Sequence, residues 1–186
     1  MKKRRVILVT DGDQAAKEAL EIVAKQVDAR CISLSAGNPS PLSGPELVEL
    51  IKSAVHDPVL VMFDDCGYSR QGIGEQVLKD VATHAEIDVL GAIAVASNCM
   101  RSKGTPIQMA INNQGHIVSH AVDKNGYIMS DVPLRIFGDT VEVLNEIQIP
   151  IVIGMGDIGK MREHDDASLG CPITRKAIDL ILNLHN

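Results

Sequence analysis

Apolar runs of strand length alternate along this chain with longer amphipathic stretches, and that rhythm confines it to few architectures. Such alternation is the pattern of βα units, which build a parallel sheet covered by helices. The first strand is expected over 5–10, with the run Val6-Ile7-Leu8-Val9-Thr10. A helix over 13–27 follows, placing Ala16, Ala19, Leu20, Val23 and Val27 on one face. A second strand is expected over 30–34. The turn-rich loop from Ser35 to Ser43 comes next, and a helix opens near Pro45. The third strand follows Pro58 as Val59-Leu60-Val61-Met62-Phe63, with a helix over 72–85 carrying Ile73, Val77, Leu78 and Val81. The fourth strand spans 87–96, a last strand spans 150–153, and a last helix spans 172–184. Between the fourth and last strands the rhythm breaks. Segments 116–122 and 127–129 resemble two strands joined through Asn125-Gly126, a strong hairpin turn signal. Gly138-Asp139-Thr140 is expected to cap a helix running to about Ile147. The fold expected is a single three-layer α/β domain over 1–186, with about five mainly parallel strands and an inserted β-hairpin over about 116–130.

Composition narrows the function. The 186 residues suffice for one substantial core. Aromatics make up only 2%, so Val, Ile, Leu, Ala and Met must fill that core. The same shortage removes base-stacking platforms for single-stranded nucleic acid. A net charge of −6 disfavours nucleic acid and anionic lipid alike. The one basic cluster, Lys2-Lys3-Arg4-Arg5, is expected to keep the N-terminus solvated. No apolar stretch is long enough to span a bilayer, and the first apolar run is too short for a signal-peptide core. Cytosolic synthesis is therefore expected. Cys31, Cys66, Cys99 and Cys171 are widely spaced, which indicates neither a zinc site nor a disulfide framework. Cys31 is expected to be a small core residue, and Cys66 and Cys99 to lie in accessible loops.

Two pairs of carboxylates sit where strands end: Asp11 and Asp13 after the first, Asp64 and Asp65 after the third. In an open parallel sheet, ligands bind outside the carboxyl ends of the strands. If the first and third strands are neighbours, four carboxylates converge and repel unless a cation or proton joins them. Oxygen donors suit Ca²⁺ or Mg²⁺. Asp is also an ordinary helix-capping and turn residue, so each position has a structural explanation too. Three further segments fall at the same edge. The loop after the third strand carries Arg70 among glycines, Ser97-Asn98 follows the fourth strand, and Gly156 and Lys160 follow the last. Arg70, Ser97, Asn98, Gly156 and Lys160 are candidate contacts to an anionic ligand. His116 and His120 share a strand face but stand ~13 Å apart, too far to chelate one ion. There is no G-x-S-x-G elbow and no evident Cys–His pair, which disfavours covalent hydrolysis.

Two phosphotransfer families use comparable acidic residues. Asp11, Asp13, Asp64 and Ser97 loosely resemble the metal and phosphoacceptor positions of response-regulator receivers, although the Lys-Pro after the fifth strand is absent. Asp11-Gly12-Asp13 resembles the Asp-x-Asp of Toprim-like domains, although the Glu on an earlier strand is absent.

A wider resemblance covers essentially the whole chain. Its segments are Val9-Thr10-Asp11-Gly12-Asp13, Phe63-Asp64-Asp65, Ala94-Val95-Ala96-Ser97-Asn98 and Val122-Asp123-Lys124-Asn125-Gly126. Gly138-Asp139-Thr140-Val141, Gly156-Asp157-Ile158-Gly159-Lys160-Met161 and Pro172-Ile173-Thr174 complete the set. Together they resemble stage V sporulation protein AE, the soluble form, of endospore-forming Bacilli and their relatives. The resemblance implies a non-enzymatic part of the spore system that moves dipicolinic acid with Ca²⁺ into the forespore and releases it at germination. It implies a place at the inner spore membrane, reached through membrane-protein partners of the same system. It assigns no catalytic residue.

Overall fold

The computed structural model describes residues 3–65, 72–98 and 103–185. Its centre is β1 (Arg4–Val9), whose Val6, Ile7, Leu8 and Val9 are fully buried. A strand apolar on both faces needs cover on both sides, which is the signature of a parallel sheet inside a sandwich of helices. β1 leads into α1 (Gln14–Gln26) and then β2 (Arg30–Cys31). α2 (Gly44–Ser53) and β3 (Val59–Met62) follow, then α3 (Ile73–Ala82) and β4 (Ile87–Val95). A run of short strands comes next: β5 (Thr105–Pro106), β6 (Met109–Ile111), β7 (Ile117–Val118), β8 (Ala121–Val122), β9 (Ile128–Met129) and β10 (Arg135–Ile136). The chain then returns through a 3-10 turn, Glu142–Glu146, to β11 (Val152–Met155) and ends in α4 (Pro172–Asn183).

Among the described residues, seven strands form the main sheet, in the order β2-β3-β1-β4-β11-β6-β7. All neighbours are parallel except β6 and β7. α1 and α4 pack on one face against Ile7, Val9, Ile93 and Ile153. α2 and α3 pack on the other against Val6, Leu8, Val61 and Phe63. The architecture is the expected three-layer α/β fold, but the sheet is larger than expected. The two extra strands come from the insertion, which extends the edge beyond β11.

The insertion differs from the expected single hairpin in an instructive way. The run expected as one strand splits at the exposed Ser119-His120. Its first half, β7, pairs back on β6 in the main sheet, and its second half, β8, pairs with β9. The Asn125-Gly126 turn stands as expected. Gly126 takes φ +77°, and the Asp123 carboxylate accepts the N–H groups of Asn125 (2.8 Å) and Tyr127 (2.9 Å). The helix expected after Gly138 is a 3-10 turn instead. Val141 and Val143 are stiff at χ1 and Asn145 is a poor helix former, so nothing local carries a full helix.

β2 stops three residues short of its expected end at Leu34. Its partner β3 continues, and serine hydroxyls take over the vacated ladder positions. Ser35 Oγ accepts the Met62 N–H at 3.0 Å, and Ser40 Oγ accepts the Asp64 N–H at 2.9 Å. The loop from Ser33 to Ser40 therefore folds in against the end of β3. Arg4 and Arg5, expected as solvated tail, lie within β1. Arg4 donates to the carbonyls of Ile51 (3.3 Å) and Ala54 at the C-terminus of α2, where a cation is favourable. Arg5 pairs with Asp57. Cys31 is buried in the core as expected, while Cys66 and Cys99 lie outside the described residues.

Gly72 and Gly74 bring α3 onto the end of β3. A Cβ on Gly74 would stand 2.3 Å from the Asp64 carbonyl oxygen. Because that atom belongs to the backbone, Gly74→Ala is expected to destabilise the fold by about 1–3 kcal/mol, the usual cost of overpacking. Urea denaturation checks this. An unchanged midpoint would mean that α3 slides away at no cost.

Candidate functional site

β1 lies between β3 and β4, and the connections leaving these strands go to opposite faces. α1 follows β1 on one face, while α3 follows β3 on the other. This is the topological switch point at which open α/β sheets form a crevice. Thr10 widens it. Its backbone N–H still bonds Ile93 O at 3.1 Å, but its hydroxyl, not its carbonyl, accepts the Val95 N–H at 2.9 Å. Beyond that point β1 and β4 diverge.

A pocket of about 150 Å³ opens there, lined by Thr10, Asp11, Asp13, Asn38, Asp64, Val95, Ala96, Ser97, Asp139 and Asp157. Asp11, Asp13 and Asp64 are thus brought together, joined by Asp139 and Asp157. Ser97 lines the same pocket and exchanges hydrogen bonds with Asp139, its hydroxyl donating to Oδ1 at 3.3 Å and accepting the Asp139 N–H at 3.2 Å. Asn38 and Asp13 also border a shallower groove of about 590 Å³, walled by Gln14, Lys17, Leu34, Pro41 and Leu42. Gly12 permits the approach of that wall: its carbonyl accepts the Gly37 N–H at 2.8 Å, and a Cβ would stand 2.9 Å from Gly37 O.

The charges are held unequally. Asp13 caps α1, accepting the Ala16 N–H at 2.9 Å through Oδ1, while Oδ2 pairs with Lys160. Burial opposes charging of both groups, but their mutual contact outweighs it. Asp13 is therefore held below the usual carboxylate range and Lys160 above the usual amine range. Lys160 also stands 4.0 Å from Asp157, whose carboxyl burial pushes up. Among the described residues no cation is in contact with Asp11. Burial, then the charges of Asp13 and Asp64, push its carboxyl up to about 7, against the Asp13 N–H and the more distant Lys160.

The other expected site residues are placed differently. Asp65 turns away from the pocket to cap α3, accepting the N–H groups of Gly74 (2.5 Å) and Glu75 (3.0 Å). Burial there, with Asp65, Glu142 and Glu146 nearby, pushes Glu75 up to about 7. Gly156 faces the inserted hairpin: a Cβ would stand 2.6 Å from Lys124 O and 2.7 Å from Gly126 N. Asn98 is exposed beyond Ser97, and Arg70 lies outside the described residues. Asp165 is fully buried below the site. It accepts the N–H groups of Gly159 (2.9 Å), Ile173 (2.8 Å) and Thr174 (2.9 Å) and the Thr174 hydroxyl, tying the loop after β11 to α4. Asn38, Asp139 and Asp157 were not singled out from sequence. Asp157 had a signal, since it follows a strand as Asp11 and Asp64 do. Asn38 and Asp139 come from segments that only the fold brings to this edge.

The donor set is all oxygen, which suits a hard cation. As the side chains stand, no group of three or more His, Cys, Asp or Glu among the described residues is placed to hold a metal ion.

The raised Asp11 carboxyl makes stability depend on pH. Its folded value of about 7 exceeds the ordinary aspartate value of 3.8, so the folded state binds its proton more tightly than the unfolded chain. That contribution is complete below about 3.8 and is lost as pH rises through about 7. Asp11→Asn is therefore expected to be more stable than the wild type at pH 8, with the difference shrinking towards pH 4. Urea midpoints of the two proteins at pH 4, 6 and 8 check this. A difference that does not change with pH would place Asp11 in ordinary solvent.

No curated protein and no solved structure matches the chain significantly. A family model matches it over residues 5–184, which takes in every strand and helix of the site except the first residue of β1. The chain belongs to the stage V sporulation protein AE1 family.

Proposed function

We propose that this chain is a non-enzymatic component of the spore system that moves dipicolinic acid with Ca²⁺, acting in sporulation and germination. The observation that carries this reading is the family match along nearly the whole chain. In this reading the switch-point crevice holds the cargo as a cation–dicarboxylate pair. Asp11, Asp13, Asp64 and Asp157 supply oxygens for a hard cation. Lys160, Lys17 and Ser97 supply positive charge and a hydroxyl donor for the carboxylates beside it. No helix among the described residues is long and apolar enough to cross a membrane. The proposal therefore includes attachment to the inner spore membrane through membrane-protein partners of the same system.

A Mg²⁺-dependent phosphotransfer domain is the other use of such an acidic edge. Receivers of the flavodoxin-like kind have the strand order 2-1-3-4-5, with the first strand between the second and third. Here β1 lies between β3 and β4. The cargo-holding reading keeps the acidic crevice and needs no transferred group.

Calorimetric titration with Ca²⁺, with dipicolinate and with their mixture tests the proposal. The mixture is expected to bind, and Asp13→Ala and Asp64→Ala are each expected to weaken it by about tenfold or more. Silence towards all three titrants would refute a cargo site and leave a scaffold that works through protein contacts.

A further inference from the structure

A groove of about 590 Å³ separates the first turns of α1 from the loop 33–42 that follows β2. That volume suits a small molecule. The loop is held in place without an occupant. The Ser35 and Ser40 hydroxyls accept the N–H groups of Met62 and Asp64, and the Gly37 N–H donates to Gly12 O at 2.8 Å. The groove is therefore preformed, and a ligand need not order it on binding. Its loop side is apolar. Leu34 is 65% exposed and stands there with Ala36, Pro41 and Leu42. Apolar side chains gathered in a concavity, with a few polar groups among them, are the usual make-up of a ligand seat.

The polar side chains of the groove divide into two kinds. Three are engaged within the protein. Asp13 takes the Ala16 N–H and the Lys160 ammonium. The Ser33 hydroxyl donates to Glu21 at 2.5 Å, and Gln14 Nε2 donates to Glu18 at 2.9 Å. Lys17 and Asn38 differ. Among the described residues, neither side chain has a hydrogen-bond or ion-pair partner. The carboxylates one helical turn from Lys17 on either side are Asp13 and Glu21, its natural partners. They bond Lys160 and Ser33 instead. Lys17 is thus a half-buried ammonium without a counter-charge, and it is the one cation among the residues lining the groove.

We propose that this groove seats a small organic monocarboxylate with an apolar body. The carboxylate lies on the Lys17 ammonium, with the Asn38 amide as a further donor, and the body lies against Leu34, Pro41 and Leu42. Charge decides the class. A neutral apolar molecule leaves the ammonium unpartnered, and one ammonium balances one carboxylate. The groove meets the crevice at Asp13 and Asn38, and the acidic residues there repel a second negative charge, which disfavours a phosphate. The seat needs no metal, so it does not depend on the crevice holding a cation.

Amide ¹H–¹⁵N spectra of the protein in the presence of a chelator, titrated with benzoate, benzamide and phenyl phosphate, test this. Benzoate is expected to shift the amides of Lys17, Leu34, Asn38 and Leu42 saturably. Benzamide, of similar shape without the charge, is expected to bind about tenfold more weakly, and phenyl phosphate more weakly than benzoate. Lys17→Met is expected to weaken benzoate about tenfold and leave benzamide unchanged. Lys25→Met makes the same change of charge about two turns further along α1 and is expected to alter neither. Leu34→Ser is expected to weaken both. Lys17 and Leu34 reach solvent, so these variants keep the core, and their spectra away from the groove verify it. No saturable shift at the groove, or benzamide binding as tightly as benzoate, overturns the proposal. Equal losses in Lys17→Met and Lys25→Met also overturn it, since they would mean general attraction by charge. Phenyl phosphate binding more tightly than benzoate overturns the monocarboxylate.

Discussion

Everything at the functional edge depends on the parallel pairing of β1 between β3 and β4. Val9 stands beside Met62 on one side and Ile93 on the other. The chain leaves each strand in the same direction, so Asp11, Asp64 and Ser97 emerge side by side. The strands can pair this way because they are apolar on both faces, and helices on both sides bury that surface. Burial of aliphatic surface thus places carboxylates together that would otherwise repel. Burial first, and then that crowding, push the Asp11 carboxyl up, while the Lys160 ammonium relieves it at Asp13.

The insertion joins the core of the molecule to its site. Had it been a free hairpin, it would have no bearing on the crevice. Instead β6 and β7 extend the main sheet and the β8–β9 turn seats on the end of β11. Gly156 lets that turn approach, and Asp157, the next residue, is fixed by its N–H to Lys124 O. From there Gly159 packs on α1 and Asp165 ties the loop to α4. The loop after β11 is therefore held by the hairpin, the first helix and the last helix together. That is why the backbone persists at Met161, Arg162 and Glu163, where φ is +45°, +52° and +70°, and why Lys160 reaches Asp13.

Much of this was legible in the residues, and the gaps have definite causes. The βα rhythm placed α1, α2, β3, α3, β4 and α4 closely, because each is long enough to show its period. β2 was overextended, since nothing local says that Ser35 and Ser40 will replace its last rungs. The run 116–122 reads as one strand because Ile117-Val118 and Ala121-Val122 stand only two residues apart, and only their pairing partners divide it. Among the site residues, Asp11, Asp13, Asp64 and Ser97 were singled out at strand ends and line one pocket. Asp65 has the same local signature, yet it caps α3, because alternate residues leaving a strand point to opposite faces. Gly156 was expected to admit a ligand, and the structure shows backbone in that space.

The sequence by itself determined the parallel α/β sandwich, the acidic residues that follow its strands and the family to which the chain belongs. These depend on periodicity and residue type, which are local and survive in one dimension. Tertiary structure decided which strands are neighbours, which carboxylates share a pocket and which become helix caps. It also decided that Lys160, 147 positions from Asp13, meets it across the crevice. Those outcomes depend on distance in space, set by strand order and by the contacts that hold a strained loop, and no local pattern encodes them.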